Sequence, residues 1–495
     1  MTTGAQTPPV TLSPDDARRI RHLMFYFGMV FVVEGIGQTD GIIAQPLIYY
    51  FKEVHSWTPV QVAAALTAFN FPWIIKPIYG LVSDFVPLFG YRRKSYLVLA
   101  SLVTTGAYLL AAHTEASGRL LFVLLLTAYG MAIASTLCGA LLVENGQRYA
   151  TSGAFVNQQW LWFHIAAMSS SLIGGLLVQK LSPAGALHGA ALIAGIAPLM
   201  IVFSTWFLVH EEKRPVDLPE LKLAARSLVA VFRIRSLWIV ALFLFLYSFS
   251  PSFGTPLYYH MTDTLLFSQG YIGILGAISS AGSICGALIY RRCLAELTSK
   301  RLLQLSIVLG TATTASFVLL FNEATAAVLN FCAGVSAMIA LVASLTLAAD
   351  YCPKRSEGFT FAALMSITNL ASVLADNVGA LLYQNAFGNR LAPLILVSAR
   401  SPLSRGFLSR CCSSAISRRG APSRIDRVER RRSNRQNARG IFDKHSRRPD
   451  ARSTIQRSVL RRSTASARAI SGSTPRLISA FRLSTLMSTG TPWPS

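Results

Sequence analysis

The chain has 495 residues, of which 52% are hydrophobic and only 14% charged, and it carries a formal net charge of +24. A charged fraction this far below the roughly one quarter of soluble domains excludes an ordinary water-soluble globule. The net charge does not point to nucleic acid, because it is unevenly placed: residues 1–398 hold 24 Lys and Arg against 18 Asp and Glu, residues 399–495 hold 22 against 4.

In chain order, a polar segment over 1–22, with Arg18, Arg19 and Arg21 at its end, precedes an apolar run that is too long and too polar in its middle for a signal peptide. That run reads as an uncleaved first helix. Apolar stretches of about the length that crosses a bilayer then place spans near 23–50, 58–83, 95–113, 119–143, 156–180 and 184–209. An amphipathic connection over 210–236 follows, then spans near 237–260, 268–290, 301–321, 324–349 and 357–384. A twelfth candidate starts at Leu391 and loses its apolar character after Val397, well short of the roughly twenty residues needed to span.

Loops that keep positive charge stay in the cytoplasm. With the N-terminus inside, nineteen Lys and Arg of residues 1–398 fall on the cytoplasmic side, four (Lys52, Arg119, Lys180, Arg390) on the other, and Lys76 inside a span. The predicted fold is therefore all-α and membrane-embedded: a major facilitator fold of two six-helix halves, 23–209 and 237–397, with the twelfth helix truncated. Solutes in such folds bind near the midplane between the halves. The host membrane is expected to be a plasma or bacterial inner membrane.

The most specific stretch runs Lys76-Pro-Ile-Tyr-Gly80-Leu-Val-Ser-Asp84, then Phe85 to Phe89, then Gly90-Tyr-Arg92-Arg93-Lys94. It resembles the facilitator loop signature, Gly-x-x-x-Asp followed by Gly and a basic cluster, in a form with five residues between Asp84 and Gly90. That longer form, preceded by Lys-Pro, is similar to the folate-biopterin transporter family. So are Ser250-Pro251-Ser252, Tyr258-Tyr259 and the Cys352-Pro353-Lys354-Arg355 to Gly358 segment, and the resemblance covers about residues 25–397. It implies a secondary transporter with a folate- or pteridine-like anionic solute as partner. It also implies that Gly80, Asp84, Gly90, Arg92 and Arg93 gate the pathway; anchoring at the anionic membrane surface is the other reading of the basic cluster.

Polar residues inside spans must find partners. Lys76 forms an i, i+4, i+8 stripe with Gly80 and Asp84 and lies about two turns inside the membrane from Asp84; it is either a counter-ion for an anionic substrate or an internally paired lysine. Span one carries Glu34, Gln38, Gly41 and Gln45 on one helical face, expected to point into the cavity. Glu34 is a candidate for solute contact and proton exchange. Asp40, set among Gly35, Gly37 and Gly41, is a second proton-coupling candidate at an expected helix break. His164, Asn369 and Asp376 extend the set, Asp376 as a proton site. Tyr247 and Tyr258, near Pro251 and Pro256 of an aromatic seventh span, are candidates for stacking on a planar ring. Any of these can instead tie helices together. Glu144 and Arg148, four apart, read as a structural pair.

No Walker A loop, zincin motif or nucleophile elbow is present, so the chain is not expected to be an enzyme, and no cofactor or nucleic-acid partner is expected. The seven cysteines include no metal-ligand spacing and read mostly as buried small hydrophobes. From Ser398 the composition turns to Arg and Ser, and Lys444 is the one basic residue after that point that is not Arg. Such a tail cannot build a core; it reads as an out-of-frame continuation of the twelfth helix. Besides the pteridine carrier, two alternatives follow: a carrier of another small amphipathic solute, or a truncated, non-transporting product.

Overall fold

A computed structural model describes residues 14–115, 117–149, 151–213, 235–350 and 357–400. Most of the predicted linker 210–236, the Cys352 to Gly358 segment up to residue 356, and the basic tail beyond residue 400 lie outside the described residues.

Among the described residues the structure is helical, with a single isolated bridge between Leu88 and Tyr91. The helices are α1 (Pro14–Gly37), α2 (Ala44–His55), α3 (Pro59–Ile74), α4 (Lys76–Phe85), α5 (Lys94–Ala111), α6 (Ser117–Tyr149), α7 (Ser152–Lys180) and α8 (Pro183–Leu208). In the second half they are α9 (Arg235–Ser248), α10 (Gly254–Asp263), α11 (Gln269–Ile289), α12 (Ser299–Ser316), α13 (Glu323–Asp350) and α14 (Glu357–Leu381). A short apolar helix, α15 (Leu391–Arg400), stands at the twelfth position.

Among the described residues nine helices are long and apolar enough to cross a membrane. The first span is broken after α1 and continues as α2. The second and seventh are each split into two shorter helices, α3 with α4 and α9 with α10. Proline explains the split in the second. Pro77 has no N–H to give to the carbonyl of Trp73, so the helix is interrupted at Ile75 and restarts at Lys76. In the seventh, Pro251 lies in the non-helical stretch 249–253.

Helix starts follow local chemistry. Thr58 and Gln61 form a reciprocal capping box at α3, while Ser182 and Ser268 accept from Gly185 and Tyr271 at the starts of α8 and α11.

Within the first half, α1 packs on α7 and α8, and α5 on α6 and α8; within the second, α13 packs on α11 and α12. The halves meet where α7 lies along α11 and where α3 and α4 lie along α14. Small residues allow the first approach: a Cβ added to Gly175 would sit 2.7 Å from the Cα of Gly273. Large apolar side chains such as Phe122, Phe203, Trp206 and Val308 are exposed on the outer surface, which suits hydrocarbon rather than water. This is a multi-pass membrane protein.

Two expectations are corrected. Glu34, Gln38, Gly41 and Gln45 do not share one helical face, because α1 ends at Gly37 and Gln38 to Ile43 form turns before α2. Gly41 packs so closely on the Ile36 carbonyl that a Cβ would collide there. The cysteines are not uniformly buried either: Cys138 is buried, Cys285 is half-buried, and Cys293 and Cys332 are exposed.

Candidate functional site

The break between α3 and α4 makes Lys76 the first residue of a new helix, so its side chain leaves the chain where the span is interrupted. Its Nζ donates to Ser135 Oγ of α6 at 3.2 Å and lies 4.3 Å from the centre of the Trp73 ring. Ser135 Oγ in turn donates to Glu34 Oε1 of α1 at 3.1 Å. Glu34 is 8% exposed, and its other oxygen, Oε2, is buried with no partner among the described residues. Among the described residues no carboxylate lies within 4 Å of Lys76. The lysine and the acid face each other across one hydroxyl.

Two further candidates lie near the breaks of the first and seventh spans: Asp40 is in the turn after α1, and Asp376 stands on α14 beside the Ala375 carbonyl that the seventh-span break engages, within electrostatic range of Asp40. The same break docks on α14 through Ser252 N–H donating to the Ala375 carbonyl at 2.9 Å, over Gly379, where a Cβ would collide with the Ser252 carbonyl.

Asn369 has a defined structural task. Its Nδ2 donates at 3.1 Å to the Trp73 carbonyl, the acceptor that Pro77 leaves unpaired. Gln45 donates to the carbonyl and the side chain of Gln269 at 2.8 and 3.1 Å, and Tyr258 donates to the same Gln269 Oε1 at 3.0 Å. Gln45 thus ties the halves together, while Tyr258 fixes the Gln269 side chain from within the second half. His164 is packed against Trp160 and Phe163, with Nε2 unpartnered among the described residues. Gln38 lies in the turn after α1, its N–H donating to the Glu34 carbonyl. Tyr247 shares a hydrogen bond of 2.8 Å with Ser306, in an apolar cluster of α9, α12 and α13.

The charged members of the predicted gating set, Asp84, Arg92 and Arg93, form one network on the face that bears the basic loops. Arg93 Nη2 donates to Asp84 at 3.1 Å and to Glu144 at 2.8 Å, with Arg92 3.6 Å from Glu144. The Glu211 carboxylate accepts from the N–H groups of Arg92, Arg93 and Lys94 at 2.9–3.1 Å, which caps the start of α5. Glu144 is therefore held by Arg92 and Arg93, and the expected pairing with Arg148 is not formed; Arg148 lies over the Tyr149 ring instead. Gly90 turns the chain with φ of +85°, a conformation glycine adopts without strain. Gly80 has open space where a Cβ would stand.

Sequence reasoning missed Ser135, Trp73, Gln269 and Glu211, which only the fold brings to their partners. It also missed the closure on the opposite face. There Lys52 lies 2.5 Å from Asp263 and donates to Thr262 at 3.0 Å, while Tyr259 donates to the Trp57 carbonyl at 2.6 Å.

The fold is shared with solved transporters. The crystal structure of the nucleoside transporter NupG superposes with a TM-score of 0.60 at 14% identity, covering 79% of this chain and 98% of that one. The D-xylose-proton symporter gives 0.57 at 12%, covering 79% and 97%. In sequence, a folate-biopterin transporter of Synechocystis sp. is 28% identical over 398 residues, 76% of this chain and 78% of the relative. Folate transporter 2 of Plasmodium falciparum is 27% identical over 362 residues, 69% and 77%. The family model described as the BT1 family matches residues 36–392. With a facilitator fold, broken spans at its centre and these relatives, the chain is a transporter and belongs to the BT1 family of folate-biopterin transporters.

Proposed function

We propose that the protein is a secondary, proton-coupled carrier of folate- or pteridine-like anions, working by alternating access about a site centred on Lys76. The observation that carries this reading is a half-buried lysine at an interrupted span, 4.3 Å from an aromatic ring centre and without a direct carboxylate partner among the described residues. A cation so placed is costly unless an anion reaches it, and an anionic solute between the halves would do so. The sequence relatives named for folate and biopterin transport support the solute class. Glu34 is the nearest titratable partner, and Asp40 and Asp376 form a second acidic pair across the halves. The face with the basic loops is cytoplasmic in this reading, with the N-terminus inside and a plasma or bacterial inner membrane as host.

The test is uptake of labelled folate and biopterin into vesicles containing the chain, in parallel with a version whose frame is restored after Val397. Lys76→Ala is expected to lower uptake about a hundredfold, the equivalent of losing about 3 kcal/mol of charge pairing. Undiminished uptake by Lys76→Ala, or none by correctly inserted wild-type and frame-restored chains, would sink the assignment. A second reading, a different amphipathic solute, draws on the likeness to carriers of nucleosides and xylose; uptake of such a solute that excess folate leaves unchanged would favour it.

A further inference from the structure

The Glu34, Ser135 and Lys76 contacts contain a rule for coupling, which rests on the anion-carrier reading. The ammonium and the carboxylate do not touch; each is 3.1–3.2 Å from the same serine hydroxyl, which accepts from the one and donates to the other. Glu34 uses Oε1 for this bond and keeps Oε2 buried and unpartnered among the described residues, so one carboxylate oxygen is free to take a proton without breaking the bridge.

Other ionisable groups do not complicate the count. On α6, which packs on α1, Cys138 is a buried thiol near Glu34 with no hydrogen bond to it among the described residues. Arg119, Tyr129, Glu144, Arg148 and Tyr149 complete the ionisable set of α6, and His164 and Lys180 on α7 and His188 on α8 that of the other two helices packed on α1. None of these is within hydrogen-bonding or ion-pair distance of Glu34.

The charge arithmetic follows. Lys76 and ionised Glu34 sum to zero. An arriving solute carboxylate at Lys76 would leave the site at net −1 unless Glu34 takes a proton, and a proton on Glu34 without the solute leaves it at net +1. An unbalanced charge away from water costs several kcal/mol, so the empty deprotonated form and the loaded protonated form are the two that can cross between open states.

We propose that Glu34 and Lys76, joined through the hydroxyl of Ser135, form a single charge-balanced unit that admits one proton at Glu34 for each anionic group bound at Lys76. The proton adds to Oε2 from water on the side to which the site is open and returns to water on the other side; no other bond is made or broken. Ser135 is the positioning residue: it relays the charge state of one partner to the other. Glu34, rather than Asp40 or Asp376, carries the coupled proton.

Two readouts on the full chain separate this unit from the choice of solute. The first needs no solute: infrared titration of the protonated-carboxyl stretch. The band assigned by its loss in Glu34→Gln is expected to shift its midpoint by at least about one pH unit in Lys76→Gln and in Ser135→Ala, a tenfold change in proton affinity, and to return in Ser135→Thr, which keeps the hydroxyl. A midpoint unmoved in both Lys76→Gln and Ser135→Ala overturns the proposal whatever the vesicles do.

The second is folate uptake under an imposed inside-alkaline gradient. Wild type is expected to gain about tenfold accumulation per pH unit at one-to-one coupling, while in Glu34→Gln the ratio of folate uptake with and without the gradient is expected to be one, at whatever rate that variant works. Gradient-driven accumulation by Glu34→Gln would overturn it. A band that shifts as expected in a chain that moves no folate supports the unit and rejects the folate reading alone.

Discussion

The two ends of the bundle are held by different kinds of contact. On the face opposite the basic loops the bonds run between the halves: Lys52 to Asp263 and Thr262, Tyr259 to Trp57, Gln45 to Gln269, and the glycine crossing of α7 and α11. On the basic face the described charge network lies inside the first half, with Asp84, Arg92, Arg93, Glu144 and Glu211 all within residues 84–211. The contrast teaches which contacts must break in a transport cycle. In the proposed cycle the first set is the closure between the bodies that move, whereas the second lies within one body and sets the start of α5.

Breaking the glycine crossing has the largest expected effect. Gly273→Val places a branched side chain where a Cβ alone would stand 2.8 Å from the Gly175 Cα and 2.6 Å from the Ser171 carbonyl. At about 3 kcal/mol of overpacking the closed form falls about a hundredfold relative to forms open on that face. Cysteine labelling of the opposite face should rise and net uptake should collapse; unchanged labelling would mean that this crossing does not hold the halves together.

Arg93→Ala should do less, and something different. Arg93 is 4% exposed and bridges two carboxylates that are themselves about half exposed and can be rehydrated. A loss of about 1–3 kcal/mol in thermal stability is expected, with labelling of the opposite face unchanged because every partner lies in the first half. A large rise in that labelling would show that the two ends are coupled more tightly than their contacts imply.

Much of the fold was legible in the sequence because the bilayer makes one demand on every span, a long apolar run, and the Lys and Arg asymmetry fixes how the runs alternate. The break at Asp40 was legible from its glycines and the opening of the seventh span from Pro251. The stripe from Glu34 to Gln45 was misread because a helical wheel assumes an uninterrupted helix, and Gly37 ends it. Ser135 carried no signal: it is one polar residue in a long apolar helix, and only the packing of α6 against α1 and α4 places it between a lysine and a glutamate. Glu144 was assigned to the nearest opposite charge in sequence, yet the turn at Gly90 folds Arg92 and Arg93 back onto it.

The most direct test of alternating access about this site is to lock the closed face. Cysteines at Lys52 and Asp263, joined by a short reducible bis-thiosulfonate linker in a background without native cysteines, hold the halves where the ion pair now holds them. Folate uptake into vesicles is predicted to fall to background on cross-linking and to return on reduction, while the uptake of either single cysteine variant does not change with the cross-linking treatment. Uptake that continues through a complete cross-link would contradict the account, since the solute would then cross without this face ever opening.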